Sequence, residues 1–182
     1  MGTRVPLDDL PTIEHAIAAE GASPQVADLA RSIYQQESSS GKNTKTSNAG
    51  AVGGMQIRPA TFNGVADKGW GIDNPEHNAR AGVRYLALLN DKAGGDPALT
   101  AAGYYGGPGA IIKAKQGIAV SDPRNPNAPN TLQYGQQVAA RLPTENSSGK
   151  SSCGTNLELF ETGKSLCGTT LELAVGNLAA TC

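Results

Sequence analysis

Between Ser23 and Glu37, apolar side chains return at helical spacing. Val26, Leu29, Ala30 and Ile33 form one stripe, the pattern of a helix that buries one face. Ser23 suits the N-cap, where a side-chain oxygen accepts from an orphan backbone N–H. Pro24 suits the first helical position, where a missing N–H costs nothing. Four residues past Ile33 the stripe reaches Glu37. A carboxyl at that place is partly withdrawn from water, which disfavours its charged form and raises its pKa. A glutamic acid held protonated near neutral pH is suited to act as a general acid. On periodicity alone, a glutamate in the last helical turn facing solvent is the simpler reading.

The residues after Glu37 favour the chemical reading. Ser38-Ser39-Ser40-Gly41 ends the helix, and a polar loop leads to Ser47-Asn48-Ala49-Gly50-Ala51-Val52-Gly53-Gly54-Met55-Gln56-Ile57-Arg58-Pro59. Here the chain resembles the catalytic domain of the soluble lytic transglycosylases, relatives of goose-type lysozyme. That family has a helix ending in Glu-Ser, then a Ser-x-x-Gly-Ala-x-Gly-Leu-Met-Gln segment followed by a proline. Glu37-Ser38 and Ser47 to Gln56 match it, with Gly54 where the family usually has Leu. Two further segments follow in the family's order. Pro75, Asn78, Gly82, Tyr85 and Leu86 match an Asp-Pro-x-x-Asn-x-x-x-Gly-x-x-Tyr-Leu pattern. Tyr104 and Gly107-Pro108-Gly109 match Ala-Tyr-Asn-Ala-Gly-Pro-Gly, with Tyr105 in place of the Asn and Gly106 in place of the Ala. A phenol cannot reproduce the hydrogen bonds of that amide. Near the end, Thr131 and Tyr134 match Glu-Thr-x-x-Tyr, and Asn130 replaces the acid. The resemblance covers about Ser23 to Leu142.

The remaining segments read as the frame of such a domain. Asp9 to Gly21 forms a helix with Asp9 as cap, Pro11 in the first turn, Gly21 as stop and Leu10, Ile13 and Ile17 as its stripe. His15 beside that stripe is structural, having no Cys, Asp or second His at ligand spacing. A short helix follows Pro59. Trp70, the single tryptophan, reads as a packing anchor, with stacking on a sugar as the alternative. Asn74 caps and Pro75 starts a helix whose stripe is Ala79, Gly82, Val83, Leu86 and Leu89. Gly82 there implies that two helices approach closely. An alanine-rich helix precedes the Gly-Pro-Gly turn, Ala110 to Lys115 restarts a helix, residues 117–130 are a loop, and Asn130 caps the last helix. The fold class expected is predominantly α, a lysozyme-like domain of the α+β superfamily, over residues 1–143.

Residues 144–182 differ in character. Gly149-Lys150-Ser151-Ser152-Cys153-Gly154-Thr155 returns as Gly163-Lys164-Ser165-Leu166-Cys167-Gly168-Thr169, and Leu-Glu-Leu follows each copy at strand period. All 3 cysteines, Cys153, Cys167 and Cys182, lie here, at spacings poor for zinc. This stretch reads as a linker and an assembly appendage, open to virion or secretion-machinery proteins. A formal net charge of −1 leaves no electrostatic footprint for nucleic acid. No apolar run nears the ~20 residues that span a bilayer. The N-terminus lacks the apolar run of a signal peptide, so the expectation is cytoplasmic synthesis without an export signal. Action at the cell wall then points to a phage virion component, or to export by a dedicated apparatus.

What the resemblance implies is cleavage of the β-1,4 bond between N-acetylmuramic acid and N-acetylglucosamine in peptidoglycan, without metal or other cofactor. Glu37 is the catalytic acid and base, and the product ends in a 1,6-anhydro ring. Ser47, Gln56, Tyr104 and Tyr134 surround the sugar and the glutamate as hydrogen-bond partners, Met55 packs beneath the site, and Arg58 reaches substrate or solvent. The alternatives are a hydrolytic lysozyme and a virion protein that keeps the fold without turnover. Hydrolysis by inversion needs a second carboxyl ~6.5–9.5 Å from the first, and Asp67, Asp73 and Glu76 are the acids near in sequence.

Overall fold

The computed structural model describes residues 11–47, 50–123 and 125–143. The Asp9 cap, Leu10, the repeat and its three cysteines lie outside the described residues. Seven helices follow one another along the described chain: α1 (Thr12–Ala19), α2 (Pro24–Ser38), α3 (Pro59–Val65), α4 (Pro75–Ala93), α5 (Pro97–Gly106), α6 (Pro108–Lys115) and α7 (Thr131–Ala139). The β structure among the described residues is one antiparallel bridge, Val52 with Ile57. The fold is mostly helical, as the sequence implies. No described helix is long and apolar enough to cross a membrane.

Local chemistry sets most of the helix starts. Five of the seven helices, α2 to α6, begin with a proline in the first turn, where its fixed φ is already helical. The side chains of Ser23, Asn74, Asp96 and Asn130 accept from backbone N–H groups of the helices they precede. Asn130 also exchanges with Gln133 in a capping box. Two starts differ from expectation. Pro11 is the N-cap of α1 rather than a first-turn residue. Likewise α6 begins at Pro108, not Ala110, because the proline at the turn is itself a good N1 residue.

Helix α2 runs through the middle. Leu29, Ala30 and Ile33 are fully buried, in one cluster with Ala16 of α1, Val83 and Leu86 of α4, Ala101 of α5, and Tyr134 and Val138 of α7. Two glycines set close approaches. A Cβ on Gly135 of α7 would lie 2.4 Å from the Ala98 carbonyl oxygen of α5, so only glycine lets these helices come this near. At Gly82 the neighbour is not a second helix, as the sequence suggests. A Cβ there would meet the Met55 side chain at 2.7–2.9 Å, so α4 makes room for the loop after α2.

That loop is held by one buried side chain, Asn78 of α4, which is 1 % exposed. Its Oδ1 accepts from Met55 N at 3.1 Å, and its Nδ2 donates to Val52 O at 3.0 Å and Ile72 O at 3.2 Å. Gly53 passes so near, at φ +76, that any Cβ would strike the Asn78 amide. Gly54, the departure from the family's Leu, faces Tyr34: a Cβ there would sit 2.4 Å from Tyr34 Cε2. Trp70 is a packing anchor outside the cleft. Its ring stacks on His77 at 5.3 Å, and the guanidinium groups of Arg80 and Arg84 lie 4.6 and 4.5 Å from its centroid.

Candidate active site

Helix α2 delivers Glu37 in its last turn, and Ser39 closes the helix in the left-handed conformation at φ 51. Two internal bonds tie this corner: Ser38 Oγ donates to Tyr34 O at 2.9 Å and accepts from Gly41 N at 2.8 Å. Glu37 opens into a cleft of about 540 Å³. The cleft's walls come from the 47–58 loop, from Tyr85 on α4, from Tyr104 to Pro108 around the α5–α6 turn, and from the 120–131 segment.

Tyr134 donates its hydroxyl to Glu37 Oε1. Burial pushes the Glu37 carboxyl above the ordinary glutamate range, and the Tyr134 bond pulls it back by a smaller amount. Desolvation penalises the carboxylate, whereas a donated hydrogen bond favours it. The net result is a carboxyl that holds its proton to higher pH than a free one. The hydroxyl of Tyr134 in turn is pushed far above its usual range by its own burial and by the glutamate's charge. It therefore stays a donor.

The other sequence-predicted residues divide by where their polar atoms go. Ser47 lines the cleft, and its Oγ accepts from Ala51 N at 3.0 Å. Gln56 also lines it, with Nε2 donating to Lys45 O at 3.0 Å and to Gly53 O at 2.9 Å. Gln56 holds a φ of 46, a left-handed conformation that is costly for a non-glycine residue and is kept here by those two bonds. Tyr104 lines the cleft too, but its hydroxyl donates to Met55 O at 2.7 Å. Met55 is fully buried beneath the loop. Arg58 is exposed on the cleft wall at the N-cap of α3.

Asp67, Asp73 and Glu76 do not line this cleft. Asp67 pairs with Arg84 at 2.8 Å, and Glu76 lies 3.5 Å from His15 Nδ1 and 3.8 Å from Arg80. Among the described residues no group of three or more His, Cys, Asp and Glu side chains is arranged to hold a metal ion.

Sequence reasoning missed two features. Asp122 is a second carboxyl on the cleft wall, carried by a loop whose start is pinned to α7. There Val120 N donates to Thr131 Oγ1 at 3.0 Å and Thr131 N to Val120 O at 2.9 Å. The signal was a matched Thr131, which the sequence ties to no particular loop residue. The second is Tyr105, whose ring stacks on Tyr134 with centroids 4.5 Å apart and planes 16° from parallel.

The helices, with a half-buried glutamate at the head of a cleft, have the arrangement of a lysozyme-like domain. The model of the Transglycosylase SLT domain matches residues 14–125, and the chain belongs to this family. Among solved structures it is similar to the 70 kDa soluble lytic transglycosylase of Escherichia coli, at 24% identity and a TM-score of 0.57. It is also similar to an inactive mutant of lytic transglycosylase Slt from Pseudomonas aeruginosa, at 22% identity and a TM-score of 0.55. Each match covers 75% of this chain but only 24% and 23% of those proteins, so the chain spans about a quarter of their length.

Proposed function

We propose that the domain is a peptidoglycan lytic transglycosylase in which Glu37 serves as both acid and base. The observation that carries this is a glutamate whose pKa is raised by burial at the head of an open cleft, with a neutral phenol donating to it. Protonated Glu37 gives its proton to the oxygen of the β-1,4 bond between N-acetylmuramic acid and N-acetylglucosamine, and the C1–O bond breaks through an oxocarbenium-like state. The ionised carboxyl, which Tyr134 stabilises, then takes the proton of the muramoyl C6 hydroxyl as that oxygen bonds to C1. The product is a 1,6-anhydro ring and the glutamate is protonated again. Ser47, Gln56, Tyr104 and Arg58 contribute the cleft wall against which the glycan lies.

Hydrolysis is the second reading, favoured by one observation: Asp122 places another carboxyl in the same cleft. Mass spectrometry of digested peptidoglycan separates the two, since anhydro and reducing ends differ by one water. Glu37→Gln tests the shared core of both. The amide accepts the Tyr134 bond but neither gives nor takes the proton, so cleavage should fall at least ~100-fold in a folded protein. Retention of most activity would remove Glu37 from the reaction.

A further inference from the structure

Tyr105 stands where the family has an amide, and the structure gives it a different task. Tyr134, which donates to Glu37, is 2 % exposed and is not itself part of the cleft wall. Tyr105 is part of that wall, and its ring lies nearly flat on that of Tyr134. The two residues belong to different helices, α5 and α7, which approach at glycine distance at Gly135. Tyr134 also lies beyond the 14–125 segment that matches the family.

We propose that Tyr105 is a positioning residue: stacked on Tyr134, its ring walls the Tyr134–Glu37 hydrogen bond off from the cleft and fixes the phenol that makes it. This rests on the reading of Glu37 as the acid and base. The titratable groups of the cleft and its Tyr134 side are few. Tyr104 and Tyr105 come from α5, Tyr134 from α7, Asp122 from the loop before it, Tyr85 from α4 and Arg58 from the start of α3, and the charge of Arg141, just past α7, acts on Tyr134. Burial raises the pKa of the Tyr105 hydroxyl, and the charges of Glu37 and Asp122 add to this by smaller amounts. It therefore remains neutral beside the carboxyl. Glu37 already meets the cleft on one side; loss of the ring opens its Tyr134 side to water as well and removes the wall of that bond. Burial is the larger of the two influences on Glu37, so the acid's pKa then falls toward the ordinary glutamate value.

The test is the titration of the Glu37 carboxyl, followed by carbon-13 NMR without substrate and assigned by the signal missing in Glu37→Gln. Wild type is compared with Tyr105→Phe, Tyr105→Ala and Tyr105→Leu. Tyr105→Phe keeps the ring and should titrate with wild type. Tyr105→Ala should titrate at lower pH, and the alkaline limb of its rate profile on peptidoglycan should move the same way. Tyr105→Leu keeps bulk but cannot stack flat, so it should also move downward, and it decides the matter if the alanine variant does not fold. An unmoved or raised midpoint in a folded non-aromatic variant overturns the proposal. So does a Tyr105→Phe midpoint that moves as far as the alanine one. Because the titration needs no turnover, it judges Tyr105 even if Glu37→Gln proves active and the proposed reaction fails.

Discussion

Replacing Asn78 by Leu removes the side chain that fixes the 52–55 turn. The variant keeps the volume and loses three hydrogen bonds, those to Met55 N, Val52 O and Ile72 O. Val52 O retains its bond from Ile57 N at 3.1 Å, so Met55 N and Ile72 O are the groups deprived of the partner seen here. At about 1 kcal/mol for each lost bond the cost is about 3 kcal/mol. A domain of about 130 residues has an unfolding entropy near 0.27 kcal/mol/K, so the melting temperature should fall by about 11 °C. Tyr104→Phe provides the scale, because it removes the single bond to Met55 O and should cost about 1 kcal/mol, or about 4 °C. Thermal melts followed by circular dichroism, with both variants beside wild type, read these differences directly. If Asn78→Leu melts no lower than Tyr104→Phe, the amide is not the organiser of the turn and the three bonds do not act as counted. Wall cleavage should fall with Asn78→Leu even well below the melt, since Gln56 stands on the loop that Asn78 holds.

Three further outcomes are expected. The folded state keeps the Glu37 proton at pH values where the unfolded chain has lost it, so wild-type stability falls as pH rises from the ordinary glutamate pKa to the raised folded one; the Glu37→Gln melting temperature minus the wild-type value should therefore grow across that window and be flat below and above it. Gly135→Ala sets a helix-propensity gain of about 1 kcal/mol against a Cβ driven into the Ala98 carbonyl, an overpacking cost of about 1–3 kcal/mol or more, so the melt should drop, and a rise would refute the close α5–α7 approach. A chain ended after Pro143 should fold and cleave peptidoglycan at the full-length rate, as measured by turbidity loss of purified walls; an unfolded or inactive product would mean that the tail belongs to the domain.

The helices were legible because their signals are local. Ser23-Pro24 and Asn74-Pro75 mark starts whose caps depend on residues at most three away, and the stripes of α2 and α4 follow from period alone. What failed to be legible was pairing across the chain. Gly82 announced a close approach, but not that Met55 would fill it. Tyr104 and Tyr105 are adjacent phenols, and no rule of spacing tells which hydroxyl goes to a backbone carbonyl and which ring lies on Tyr134. That choice is made by the α5–α7 contact through Gly135, a relation between residues 98 and 135 that neither segment carries alone. Asp122 was missed for the same reason, since its loop joins the cleft through Thr131 and Val120.

Glu37 must give a proton and then take one, and a single environment has to serve both steps. Burial alone would favour the first and obstruct the second, because it penalises the carboxylate that must form as the glycosidic bond breaks. A strong cationic partner would do the reverse, and the proton would be gone before substrate arrived. The ion-paired arginines of the described domain lie elsewhere: Arg31 with Glu14 and Asp28, Arg80 with Glu20, and Arg84 with Glu20 and Asp67. What meets Glu37 instead is a neutral phenol, which stabilises the carboxylate by one donated bond without the long-range field of a full charge. The balance holds the Glu37 proton to higher pH than a free carboxyl would, with the hydrogen bond already in place for the anion. A lysine or arginine at position 134 would upset that balance by drawing the Glu37 pKa down, and a phenylalanine would leave the anion without its donor.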